Sequence, residues 1–148
     1  MATARAGSAR TPAQTYALVF GAIYLLVGIV GFAFTGFDNF AEFSNDKIIV
    51  FYVNPLHNLV HIALGAVLIG GSRAHATAKT ANLVVGVVLL LVALIGFIET
   101  PEKALELLNI DGSGSADNFL HLVTGAAAVY FGTAGAEGGY GRATTPAA

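Results

Sequence analysis

YALVFGAIYLLVGIVGFAFTG, from Tyr16 to Gly36, contains no charged residue. A hydrocarbon core of ~30 Å takes about 20 helical residues to cross. The run has that length, and its apolar residues do not alternate as strands of a lipid-facing barrel must. Backbone in lipid has to satisfy its own hydrogen bonds, so the run predicts a helix. Three further runs follow: Val53 to Gly71, Thr80 to Ile98, and Asn118 to about Thr133. The expected fold is an all-α membrane protein, a bundle of four transmembrane helices over about 16–36, 53–71, 80–98 and 118–133.

Composition agrees. Of 148 residues, 11% are charged and 55% hydrophobic, and the mean hydropathy is +0.72. An average soluble protein is roughly 25% charged. Seven Lys and Arg and nine Asp and Glu cannot cover a soluble domain, and all of them lie outside the four runs. The chain has no Cys, which excludes disulfides, thiolate metal sites and a Cys nucleophile. A net charge of −2 offers no basic footprint, so no nucleic-acid partner is expected. The first run is too long for a signal-peptide core, and Gly36-Phe37-Asp38 is no small-x-small cleavage site, so the span is expected to be retained.

The domain organisation expected is a disordered cytoplasmic segment over 1–14, a transmembrane domain over 15–134, and a disordered cytoplasmic tail over 135–148. Loop charge sets the orientation. Arg5, Arg10, Arg73, Lys79 and Arg142 fall on one side of the spans, while Lys47 and Lys103 fall on the other with eight acids from Asp38 to Asp117. The positive-inside rule puts both termini in the cytoplasm. Thr100-Pro101-Glu102 reads as a cap, a first-turn Pro and a first-turn acid. It predicts a short helix over about 101–109 lying in the outer interface. Tyr16, Tyr52 and Tyr130, near span ends, are expected to anchor at the interface.

An internal repeat is visible. Gly21 and Gly31-Phe32 recur as Gly86 and Gly96-Phe97, at an offset of 65. Asn58, His61 and Gly65 recur as Asn118, His121 and Gly125, at an offset of 60. Two copies of a two-helix unit share one orientation, which predicts a pseudo-two-fold axis along the membrane normal.

The polar residues of the spans are the candidate site: Asn54, His57, Asn58 and His61 opening span two, and Asp117, Asn118 and His121 opening span four. His57 with His61, and Asp117 with His121, are each four apart and share a helical face. Three readings fit. His57, His61, Asp117 and His121 make a complete ligand set for a divalent metal such as zinc. His61 and His121, at equal depth on two helices, suit bis-His ligation of haem, with Gly65 and Gly125 leaving room for a ring. Or Asn and His bond across helices to fix their register, while Gly65 and Gly125 let the helices pack closely. Neither a Ser-His-Asp arrangement nor a mid-depth acid or base is present, so a non-catalytic role is expected. Four short helices make a thin bundle, whose expected partners are the lipid bilayer and a second copy or another membrane protein.

Val53-Asn54-Pro55-Leu56-His57-Asn58-Leu59-Val60-His61 and Ala116-Asp117-Asn118-Phe119-Leu120-His121-Leu122 resemble a family of small, mainly actinobacterial membrane proteins. That family is known as domain of unknown function 4383. The resemblance covers about Tyr16 to Gly132. It implies a four-span protein of the bacterial plasma membrane, and it carries no catalytic residues over. The expected function is a non-catalytic membrane protein whose Asn/His/Asp cluster holds the bundle together or binds a small ligand. The alternative is a metal- or haem-binding component of a membrane redox or stress-response system.

Overall fold

The first two helices each begin at a cap followed by a proline, not where the apolar run begins. The computed structural model describes residues 9–98, 105–110 and 112–133. Helix α1 spans Pro12–Thr35. Thr11 and Gln14 form a capping box, with Pro12 in the first turn, an arrangement that satisfies two amides left free at a helix start. Residues 12–14 are therefore helical and do not belong to the disordered segment expected over 1–14. Residues 1–8 of that segment, and the tail over 135–148, lie outside the described residues.

A two-residue hairpin, β1 (Lys47–Ile48) against β2 (Phe51–Tyr52), pairs antiparallel after α1. Helix α2 spans Pro55–Gly71, and Asn54 caps it by accepting from the His57 amide at 2.9 Å. The span expected from Val53 thus starts two residues later. Helix α3 spans His75–Ile98, five residues longer at its start than the apolar run. Helix α4 spans Ala116–Thr133. Of the interfacial helix expected over 101–109, residues 101–104 lie outside the described residues. The rest holds one 3-10 turn, Glu106–Leu108.

The helices pair as α1 with α2 and α3 with α4, with slimmer contacts between the pairs. Hydrogen bonds identify the two ends. Gln14 Nε2 donates to the Ser72 carbonyl, and His75 Nδ1 meets Thr11 Oγ1 at 2.9 Å. The start of α1, the end of α2 and the start of α3 therefore share one end. At the other, Asn54 Nδ2 donates to the carbonyls of Glu42 and Leu107, fastening both long loops to the start of α2.

A small apolar core of Ala13, Ala17, Leu68, Val85 and Leu89 lies between the helices. Asn54, Asn58, Asn82 and Asn118 are fully buried beside it. Many other large apolar side chains face out: Leu26 is 62% exposed, Leu91 53%, Phe119 57% and Val123 67%. Helices α1 and α3, 24 residues each, are long and apolar enough to cross a membrane, and α2 is a shorter apolar helix. Only 28% of the apolar stretch of α1 and 39% of that of α3 are buried, so most of each stretch faces away from the other helices. Tyr16 departs from its expected role as an interfacial anchor. It is buried, stacks between Phe20 and Phe131, and donates to the Thr124 carbonyl at 2.9 Å.

Candidate functional site

The buried polar residues divide into three groups with different work. The first is a pair of asparagines one turn inside α2 and α4. Asn58 Nδ2 donates to Thr35 Oγ1 at 3.0 Å, joining α2 to the end of α1. Its Oδ1 rests against Gly31, where any Cβ would collide with it. Asn118 Oδ1 lies against Gly96 in the same way, and Asn118 Nδ2 donates to the Gly112 carbonyl at 2.8 Å. Neither Oδ1 accepts an ordinary hydrogen bond. The glycine Cα–H that takes the Cβ position is a weak donor in its place.

The second group ties the loops down. Asn54 bonds to Glu42, Leu107 and the His57 amide. Asn109 accepts from the Ser44 amide at 2.8 Å and donates to the Ser44 carbonyl at 2.9 Å, an amide-to-backbone pair joining the two long loops. Asn109 is fully buried and has a positive φ of 61°, a conformation asparagine tolerates better than most residues. Sequence reasoning missed Asn109, because a partner 65 residues away leaves no periodic signal. It also missed Asn82, whose Nδ2 donates to the Ala13 carbonyl and joins α3 to α1.

The third group is imidazole. His57 and His61 of α2 meet Nε2 to Nε2 at 3.2 Å. His121 of α4 completes a triad in which one nitrogen from each ring lies within 4.8 Å of the others. All three residues are buried. The Tyr24 ring stands edge-on to His61 at 5.3 Å, and its hydroxyl donates to Thr124 Oγ1. The Nδ1 atoms of His57, His61 and His121 have no hydrogen-bond partner. Carbonyls of Leu108 and Tyr52 approach His57 without closing a bond of ordinary geometry to its Nδ1.

Asp117 stands outside the triad. Its Oδ2 accepts from Ser115 Oγ at 3.2 Å at the start of its own helix. The four-residue ligand set read from spacing is, in this geometry, three imidazoles. The room expected at Gly65 and Gly125 for a flat ring is filled. A Cβ on Gly65 would lie 2.6 Å from the Leu25 amide nitrogen and 2.8 Å from the Gly21 carbonyl. One on Gly125 would lie 3.1 Å from the Gly86 carbonyl and from Leu89 and Leu90. These glycines let helix backbones approach each other and make no slot for haem.

No curated protein and no solved structure gives a significant match to the chain. Residues 14–134 match the domain of unknown function DUF4383. That match takes in all four helices apart from the first two residues of α1, and the chain belongs to the DUF4383 family.

Proposed function

We infer that the chain is a non-catalytic, four-span protein of the bacterial plasma membrane with both termini in the cytoplasm, and that its buried amide layer holds the bundle in register. The observation that carries this reading is the pattern of burial: five asparagines, Asn54, Asn58, Asn82, Asn109 and Asn118, have 0% exposure while Leu26, Leu91, Phe119 and Val123 face outward. Leucine and phenylalanine gain nothing by facing water but are at home in lipid, where packing and polar bonds must hold helices together instead. Helices of 17 and 18 residues are about 26 Å long at 1.5 Å per residue. That suits α2 and α4 to a bilayer that adjusts slightly around them.

The tandem-repeat reading is supported by matched contacts. Gly31 meets Asn58 as Gly96 meets Asn118, and Gly65 meets the Gly21 carbonyl as Gly125 meets the Gly86 carbonyl. The offsets of these partners are those of the repeat. Orientation is supported by the end that carries Arg10, Arg73 and Lys79, next to the contacts of Gln14 with Ser72 and Thr11 with His75.

The test is thermal unfolding of the full chain in detergent. Asn58→Ala and Asn118→Ala each lose a buried polar contact worth about 0.6–2 kcal/mol in membranes and leave a cavity beside a glycine. Both midpoints should fall, by similar amounts. Unchanged midpoints in both variants would contradict a holding role for the layer.

A further inference from the structure

We propose that His57, His61 and His121 form a binding site for one divalent transition-metal ion, which links α2 to α4. Three of the four histidines in the chain converge here, each from a buried position. Imidazole is a ligand for zinc and its neighbours and a poor one for magnesium or calcium. Zinc–nitrogen bonds of about 2.0–2.1 Å at a tetrahedral angle place two ligand nitrogens about 3.3 Å apart. His57 Nε2 and His61 Nε2 are 3.2 Å apart, so one helical face already presents two ligands at the separation an ion needs. The third nitrogen lies within 4.8 Å, and turning the His121 side chain inward closes the remainder.

Two further observations favour an ion over a purely structural cluster. Three neutral imidazoles carry three donors and three acceptors, yet a single contact joins them and the Nδ1 atoms are unpartnered. Buried polar groups in native proteins are seldom left so. Also, no Cα of α2 lies within 8 Å of a Cα of α4 among the described residues. The two helices meet here through long side chains, across a gap that an ion would bridge. Carbonyls of Leu108 and Tyr52 near His57 are the kind of acceptor that orients a metal-bound ring through its other nitrogen. Three protein ligands leave a fourth position on a tetrahedral ion for water or a small anion. Asp117, held by Ser115, is not required.

The inference uses the bundle reading only for the site's place in the membrane. To test it, the full chain is purified in detergent with a histidine-free tag, stripped with chelator, and titrated with zinc and with cobalt(II). The expected result is close to one equivalent of either metal per chain, with visible cobalt absorption bands of tetrahedral intensity. An excess of magnesium or calcium should not displace the metal. His57→Gln, His61→Gln and His121→Gln should each weaken binding at least tenfold, while Asp117→Asn and His75→Gln leave it unchanged. Since a histidine variant could fail to fold, zinc on the wild-type chain is also examined by X-ray absorption, which should show three imidazole nitrogens at about 2.0–2.1 Å from the ion. Less than about a tenth of an equivalent of metal on folded wild-type protein, or a bound ion with fewer than two imidazole ligands, would overturn the site. Either result would leave the membrane reading standing, since that is read by topology and not by metal.

Discussion

Replacing Gly31 by alanine tests the packing where the end of α1 meets the first turn of α2. The new Cβ would overlap Oδ1 of Asn58 and crowd its Nδ2 at 2.8 Å. Asn58 is fully buried and has nowhere to retreat. Either its amide swings away and gives up the bond to Thr35 Oγ1, or the helices move apart. Overpacking costs about 1–3 kcal/mol, and the lost interhelical bond adds about 0.6–2 kcal/mol. Alanine returns about 0.5–1 kcal/mol through its better helix propensity. The net loss is about 1–4 kcal/mol, or roughly 3–12 °C in the thermal midpoint for a chain of this size. Gly70→Ala is the matched control: it places the same methyl in α2 where nothing lies within 4 Å, so its midpoint should hold or rise slightly. The assay is thermal unfolding in detergent, followed by circular dichroism and by loss of the monodisperse chromatographic peak. Gly96→Ala should match Gly31→Ala, since Asn118 stands there in the place of Asn58. Equal midpoints for Gly31→Ala and Gly70→Ala would refute the steric argument.

Other outcomes follow from the same contacts. Asn54→Ala removes two loop anchors and the cap of α2. It should cost about 2–3 kcal/mol at roughly 1 kcal/mol per bond and speed amide exchange in residues 42–53 more than in α3. Thr124→Val removes the acceptor of the Tyr24 hydroxyl and should lower stability by about 1 kcal/mol; an unchanged midpoint would contradict a stabilising role for that bond. Zinc at a hundredfold excess over its dissociation constant should stabilise the wild-type chain by about 2.7 kcal/mol, and His121→Gln at the same zinc concentration by about 1.4 kcal/mol or less.

Much of the helical architecture can be read from the chain because length and a lack of charge mark each apolar run. The four helices fall on the four apolar runs. Their starts differ because a helix begins at its cap: Thr11-Pro12-Ala13-Gln14 carries a capping signal outside the apolar run, and Asn54-Pro55 places one inside the second. The i, i+4 spacing of His57 and His61 is legible, and His121 of α4 joins them in the fold. Asp117 shows the limit of spacing. It shares a face with His121, yet Ser115 at the helix start engages its carboxylate. Spacing identifies which groups share a face and is silent on which neighbour each one bonds. The loop knot of Asn109 with Ser44 depends on how two long loops fold over one another, which no periodicity records. Gly65 and Gly125 were legible as close-packing positions, but only the facing backbone distinguishes a helix crossing from a ligand slot.

The central claim is that the chain crosses the membrane four times with its basic end inward. A chain without cysteine gives a clean background for single-cysteine labelling. Ser113→Cys, before α4, should react with a membrane-impermeant maleimide on intact cells. Thr77→Cys, in the exposed first turn of α3 at the end shared with Arg73, should react only after permeabilisation. Labelling of Thr77→Cys on intact cells, or of both positions from the same side, would contradict the account.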